Sequence, residues 1–481
     1  MKRRVLTILA AALVCAATAL AYLPPSPVQN LLYRAKDPAD LRAQLAAHRD
    51  SIAATDSLDA AEAWYWIGVS HERSGERDAA IAAYRRAHAV RANAEDALAL
   101  ADLLMLRGTR ADGAEAAKLL APVLERFAAD RTPRGADVRL RAAWATALAG
   151  DPAAACRAVL DRPGDLLTPK APIPRQALWT ARFAPLLLEH GHAAEGAARL
   201  TRALSSSRGR DTALVRLARG RGVKIATPAE FARRADSALA VSAAGAPLVA
   251  TTVRAADGAR ITVWLLRTRP GAPLALLAVS PEAESFAGAD SLVSQLYRAG
   301  VSVAIVDPRG SRSSASAATP HPHAWIARED AFQQRLARDL SAAIGPASAA
   351  MRTDPARVCV IAEGPLAMAA ALSARDDARV RTVVLAGATP SGAERGWLIA
   401  VLTASHAPVF FQQGPEDVYA NEVVDRIASL LPSRQVRVAD SQWTGRGFAL
   451  FRAGAKSGER LTNWLADEWT SRPATPRARR R

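Results

Sequence analysis

The spacing of apolar residues changes near Leu248, and this change restricts the possible folds more than any other feature of the sequence. From about residue 41 to residue 239, apolar residues recur at helical intervals and runs of β-branched residues are scarce. After Leu248, short β-rich runs alternate with segments of helical spacing. The 481 residues are enough for two or three domains. We therefore predict a helical half followed by an α/β half.

The helical half, residues 31–240, contains one clear internal repeat near Trp64. The repeat resembles the tetratricopeptide consensus at Trp64, Ile67, Gly68, His71, Gly75, Ala80, Tyr84 and Ala87. Weaker copies follow at 98–120, 142–159 and 183–200. The resemblance implies a TPR-like solenoid of α-helical hairpins that binds a protein or peptide, with Trp64 and Tyr84 as candidate binding residues. A helical spacer without a ligand is the alternative.

The α/β half, residues 247–469, contains eight short β-rich runs. They lie at 248–253, 261–266, 274–279, 301–306, 358–361, 382–385, 409–411 and 436–438. Segments of helical spacing lie at 290–298, 327–344, 366–374, 421–430 and 457–469. Because strands alternate with helices, we predict a doubly wound, mostly parallel sheet with helices on both faces.

Three segments of this half resemble the α/β-hydrolase family. Residues 307–311, Asp-Pro-Arg-Gly-Ser, are similar to the family's aspartate–arginine–glycine turn after a buried strand. Residues 354–357 are similar to the approach to the nucleophile elbow, and residues 413–417 are similar to the loop that carries the catalytic acid. The resemblance implies an α/β-hydrolase-type fold over nearly half of the chain.

The residues at the catalytic positions depart from the family's pattern. A serine hydrolase needs a nucleophile on the strand-to-helix turn, a histidine and an acid. Here Gly364 occupies the nucleophile position and Pro365, which has no N–H, follows it. Arg446 occupies the histidine position, and a guanidinium cannot act as a general base near neutral pH. Asp417 remains at the acid position and is expected to form a structural ion pair with Arg446.

Other polar residues near the predicted strand ends are candidates for binding. Glu363 directly precedes the elbow, and Ser280, Asp307 and Arg309 follow earlier strands. A serine–histidine arrangement between residues 311–314 and His321 or His323 would be unconventional. We found no metal or cofactor motif, so neither a metal nor a cofactor is expected. Cys156 and Cys359 are expected to be free buried thiols rather than a disulfide.

The first 23 residues have the pattern of an export signal. A basic start, Met-Lys-Arg-Arg, precedes an uncharged apolar run at 5–23 that includes an Ala-Leu-Ala cleavage pattern at 19–21. We expect a periplasmic or secreted protein. The alternative is a chain anchored in the inner membrane by residues 5–23, because the run is just long enough to span it.

The formal net charge is +17, from 63 basic and 46 acidic residues. The basic residues form no patch with interleaved aromatic residues, so nucleic acid is not an expected partner. Residues 470–481 are expected to be a basic, disordered tail.

These observations lead to three hypotheses. The first is an exported binding or scaffolding protein whose α/β-hydrolase-like domain is inactive. The second is an atypical hydrolase of an ester, amide or peptide that uses unrecognised catalytic groups, and the third is a purely structural envelope protein. An intact nucleophile in the folded cleft would favour the second hypothesis over the first.

Overall fold

A computed structural model describes most of the chain. The described residues are 26–55, 57–130, 132–162, 174–206, 212–224, 248–280, 289–310, 314, 329–388, 390, 392–415, 418–441, 447–452 and 456–471. The predicted leader, 1–23, lies outside them, and so does the predicted tail apart from residues 470 and 471, which are helical rather than disordered. Within the described ranges, no helix is both long enough and apolar enough to cross a membrane.

The described residues before 225 are helical, with short connections. The helices are α1 (Pro27–Arg34), α2 (Pro38–Thr55), α3 (Ser57–Arg73), α4 (Arg77–Val90), α5 (Ala94–Arg107), α6 (Arg110–Phe127), α7 (Pro133–Leu148), α8 (Pro152–Leu160), α9 (Pro174–Glu189), α10 (Ala193–Ser206) and α11 (Thr212–Gly220). Several begin at polar caps. The Thr109 side chain and Asp112 form a reciprocal capping box at the start of α6. Helices adjacent in sequence pack against each other, as hairpins do.

Glycines allow two of these hairpins to pack closely. A Cβ on Gly68 in α3 would lie 2.6 Å from the Tyr84 ring in α4. Likewise, a Cβ on Gly113 in α6 would lie 2.5 Å from the backbone N of Ala149, just after α7. A side chain at either position would therefore separate the two helices. Tyr84 is 1% exposed and its hydroxyl donates to Glu72, so it is a packing residue rather than the binding residue predicted from the sequence.

The α/β half contains one eight-stranded sheet in the described part of the chain. Its strands are β1 (Val249–Arg254), β2 (Arg260–Leu266), β3 (Leu274–Ala278), β4 (Ser302–Val306), β5 (Val358–Glu363), β6 (Val380–Ala386), β7 (Val409–Gln413) and β8 (Val436–Asp440). Their order is β1-β2-β4-β3-β5-β6-β7-β8. The pairs β1–β2 and β2–β4 are antiparallel, and the others are parallel. The predicted mostly parallel sheet is confirmed.

Helices cover both faces of this sheet. They are α12 (Asp290–Arg298), α13 (Glu329–Met351), α14 (Ala367–Asp376), α15 (Gly392–Ser405), α16 (Val418–Leu430) and α17 (Lys456–Ser471). Side chains of α13, α14, α15 and α16 share one apolar cluster with the sheet, and those of α12 and α17 share another. Short 3-10 helices lie at Gly364–Leu366, Ser433–Gln435 and Gly447–Phe451.

Helix α15 was not predicted, and it joins the two halves of the chain. A Cβ on Gly396 would overlap the carbonyl oxygen of Ala35, just after α1, and a Cβ on Gly392 would overlap the Trp66 ring of α3. Arg395 donates to the Gln29 side chain in α1 at 3.1 Å. Helix α15 is therefore buried between the sheet and the first helical hairpins, and an amphipathic pattern is absent from its sequence for that reason.

Candidate functional site

The elbow after β5 has the predicted geometry. Strand β5 ends at Glu363, and Gly364 adopts a φ of +44° before the chain enters the 3-10 turn and then α14. A residue with a side chain is strained at this φ, as the nucleophile of a serine hydrolase is. Gly364 places no reactive atom there, and Pro365 provides no N–H for an oxyanion.

Glu363 links the elbow to two other strand ends. Its Oε1 accepts a hydrogen bond of 2.7 Å from the backbone N–H of Ser280, which follows β3. Its Oε2 accepts one of 3.4 Å from the backbone N–H of Phe448, in the 3-10 helix after β8. In hydrolases of this fold, an N–H after the third strand belongs to the oxyanion hole. In this chain the N–H of Ser280, which also follows the third strand, donates to the protein's own carboxylate.

Glycine backbones pack around the same carboxylate. Gly387 after β6 has a φ of +58°, and Gly447 has a φ of +56°. A Cβ on Gly387 would lie 2.9 Å from the backbone N of Gly447, and a Cβ on Gly447 would lie 2.5 Å from Oε2 of Glu363. The Glu363 carboxylate is therefore tightly enclosed by the main chain of Gly447, which itself packs against Gly387.

Polar backbone groups at the start of α14 also form hydrogen bonds within the protein. Oε1 of Gln333, in α13, accepts a hydrogen bond of 3.0 Å from the Ala369 N–H. The Gln333 amide nitrogen donates to the carbonyl oxygen of Pro365. Since the first N–H groups of a helix are an intrinsic anion site, this side chain occupies one of the donors at the start of α14.

Arg309, a candidate binding residue from the sequence, is instead part of a buried ion pair. It is 2% exposed, and its Nε lies 2.7 Å from a carboxylate oxygen of the fully buried Asp339. Its Nη1 lies 2.7 Å from Asp257 in the β1–β2 turn, and this guanidinium lowers the pKa of Asp257. The contacts tie the hairpin turn to α13, which is a structural role.

Asp307 and Ser314 form a second structural contact. The carboxylate of Asp307 accepts from the N–H of Ser314 at 3.2 Å, and Asp307 is fully buried. The Ser314 hydroxyl donates to the Asp307 carbonyl at 2.7 Å and accepts from the N–H of Thr262. Both residues stabilise the turn after β4, so neither is a candidate for ligand binding or nucleophilic attack.

Several predicted site residues lie outside the described residues. They are Asp417, Arg446, Ser311, Ser313, His321 and His323. The expected ion pair between Asp417 and Arg446 therefore remains a prediction. Trp64 is partly buried, and the Arg86 guanidinium lies 4.6 Å from the centre of its ring. In the described ranges, no group of three histidine, cysteine or acidic residues could hold a metal ion.

Sequence reasoning missed a buried charge cluster between the two halves. Arg73, at the end of α3, lies 2.7 Å from Asp330 in α13 through its Nε. Its Nη2 lies 2.6 Å from Glu394 in α15. The three side chains are 9–12% exposed. The signal in the sequence was the Glu394-Arg395 pair inside an otherwise apolar segment.

The two described cysteines are predicted to be inert in the folded protein. Cys156 and Cys359 are free and buried, as expected from the sequence. Burial raises the pKa of both thiols, and that of Cys359 to about 12. Since only the thiolate reacts with DTNB, a Cys15→Ser variant should release almost no thionitrobenzoate until guanidinium is added. Rapid reaction of the native variant would contradict this burial.

Among known proteins, similarity to this chain was found only with solved structures. No family model matches the sequence, and no curated protein matches it significantly. A 2,6-dihydroxy-pseudo-oxynicotine hydrolase is similar over 62% of this chain and 88% of its own, with 14% identity and a TM-score of 0.38. A fungal esterase from Rhizomucor miehei is similar over 50% and 91%, with 13% identity and a TM-score of 0.37.

A third similar structure is the dienelactone hydrolase from Anabaena variabilis, over 47% of this chain and 97% of its own. Its identity is 15% and its TM-score 0.35. The C-terminal half of this chain resembles α/β-hydrolase-fold structures.

Proposed function

We propose that this chain is a binding or scaffolding protein whose α/β-hydrolase-like domain does not catalyse hydrolysis by a serine mechanism. The observation that supports the proposal is the structure of the turn after β5, at Gly364. Gly364 has no nucleophile, and the Ser280 N–H that would polarise a substrate carbonyl donates to Glu363 instead. A transition-state oxyanion would have to displace a charge-assisted hydrogen bond to find a donor there.

The helical half supports a role in binding. Its helices pack as consecutive hairpins, and such repeats usually present extended surfaces to a protein or peptide. The first hairpins are already in contact with α15 of the α/β half through Trp66 and Arg73. We therefore propose that a partner binds the later helices, α5 to α10, while the first hairpins hold the α/β domain.

The absence of serine-hydrolase chemistry is directly testable. The full-length protein should not be labelled by a fluorophosphonate probe, because the described elbow offers no activated serine. A Gly364→Ser variant should also remain unlabelled, since Pro365 and the bound Ser280 N–H leave the oxyanion without donors. Gel fluorescence measures the labelling, with an active serine esterase as the positive control.

Labelling of the unaltered protein that disappears on replacing one serine would contradict the proposal. It would favour the atypical hydrolase instead. Labelling of the Gly364→Ser variant alone would show that the oxyanion donors are available after all. This second result would separate the loss of the nucleophile from the occupation of the oxyanion site.

A further inference from the structure

We propose that the backbone N–H groups of Ser280 and Phe448 form an anion site that the protein fills with its own carboxylate, Glu363. This site takes a small monocarboxylate such as acetate when that side chain is removed. The inference rests on the proposed function, because a working hydrolase would leave the Ser280 N–H available to its substrate.

The first support is the arrangement of donors. Oε1 and Oε2 of Glu363 each accept from a different backbone N–H, at 2.7 and 3.4 Å. The two donors come from segments after β3 and after β8, so they converge on the carboxylate from separate loops. Backbone donors do not titrate and are held by the fold, which makes such pairs good anion sites.

The second support is size. A Cβ on Gly447 would lie 2.5 Å from Oε2 and 3.1 Å from Cβ of Glu363, so the carboxylate is tightly enclosed on that side. Replacing Glu363 by alanine deletes one methylene and one carboxylate. Acetate has the same carboxylate and one methyl group, so it replaces the deleted atoms almost one for one. Larger carboxylates should be excluded by the Gly447 backbone.

The test is chemical rescue of Glu363→Ala. The variant should lose the charge-assisted hydrogen bonds to Ser280 and Phe448, and its thermal midpoint should fall by roughly 5 °C or more. Sodium acetate at roughly 100 mM should then restore a large part of that loss in a saturable way, because a ligand that binds only the folded state stabilises it. Sodium chloride and neutral acetamide at the same concentration should not.

Three controls isolate the site. The unaltered protein should show no acetate-specific shift, because Glu363 already occupies the donors. Glu363→Gln keeps the volume of the side chain, so it should be destabilised but not rescued. Leu465→Ala removes a fully buried side chain from α17 of the same domain, so it should be destabilised without an acetate response.

Equal shifts with acetate and chloride in Glu363→Ala, or an unchanged midpoint in that variant, would overturn the inference. A fluorophosphonate label on the unaltered protein together with acetate-specific rescue would overturn only the proposed function. The two failures are therefore distinguishable.

Discussion

Replacing Arg73 by methionine should lower the free energy of unfolding by about 3–5 kcal/mol, because a buried ion pair that loses one partner leaves an uncompensated charge. Arg73 lies within 2.7 Å of Asp330 and 2.6 Å of Glu394, and all three side chains are largely shielded from water. Methionine keeps the apolar part of the side chain and removes the charge together with the N–H donors. Urea unfolding followed by circular dichroism measures the change.

The loss of unfolding free energy in Arg73→Met should become smaller at lower pH. Burial already raises the pKa of Asp330, and without Arg73 nearby this pKa should rise further. A carboxyl group whose pKa is higher in the folded state stabilises that state at low pH and loses this contribution as pH rises through the folded pKa. The deficit in unfolding free energy of Arg73→Met should therefore shrink as the pH is lowered from neutrality, because Asp330 becomes protonated in the folded state.

A matched control is Arg85→Met in the same helical half. Arg85 pairs with Glu115 at 2.6 Å, but these side chains are 45% and 36% exposed. Its replacement should cost at most ~1 kcal/mol. Equal losses of unfolding free energy in the two variants would show that the buried ion pairs of Arg73 stabilise the protein no more than an exposed pair does.

Arg309→Met should be comparably destabilising, by about 3–5 kcal/mol, inside the α/β domain. Asp339 is fully buried, and Arg309 is its cationic partner at 2.7 Å. The pair also reaches Asp257, so the change releases the β1–β2 turn from α13. Chemical denaturation monitored by tryptophan fluorescence measures the effect.

A double variant distinguishes the buried charge from simple loss of packing. Arg309→Met combined with Asp339→Leu removes both charges, and buried pairs replaced by apolar residues of similar volume are often neutral in stability. We expect the double variant to recover most of the loss. Asp257→Asn should cost little, because the Asp257 side chain is 45% exposed. A double variant with a lower free energy of unfolding than either single variant would contradict this explanation.

The sheet could be predicted because its signal is local. Each of the eight observed strands lies within two residues of a predicted one at both ends. Fully buried strands such as β3 and β4 lie in short apolar runs, and β4 is also rich in β-branched residues, which favour strands. The alternation of these runs with helical spacing was enough to predict a parallel sheet covered on both faces.

Two helical segments of the α/β half were missed for a physical reason. Helix α13 continues through Pro346 to Met351, although proline normally ends a helix. Ala347 and Met351 are fully or almost fully buried there, so packing compensates for the lost hydrogen bond. Helix α15 is buried by the sheet on one side and by α1 and α3 on the other, so it lacks the periodic pattern by which surface helices are found.

By itself, the sequence determined the eight strands, the switch from helices to sheet, and the absence of a nucleophile at Gly364. These properties depend on neighbouring residues and on the chemistry of single side chains. Only the tertiary structure decided what Glu363, Arg309 and Arg73 bind. The donors to Glu363 are backbone N–H groups 83 and 85 residues away, and Arg73 is separated from Glu394 by 321 residues. Every residue except proline has a backbone N–H and the chain has many acidic residues, so only the folded chain selects which of them meet.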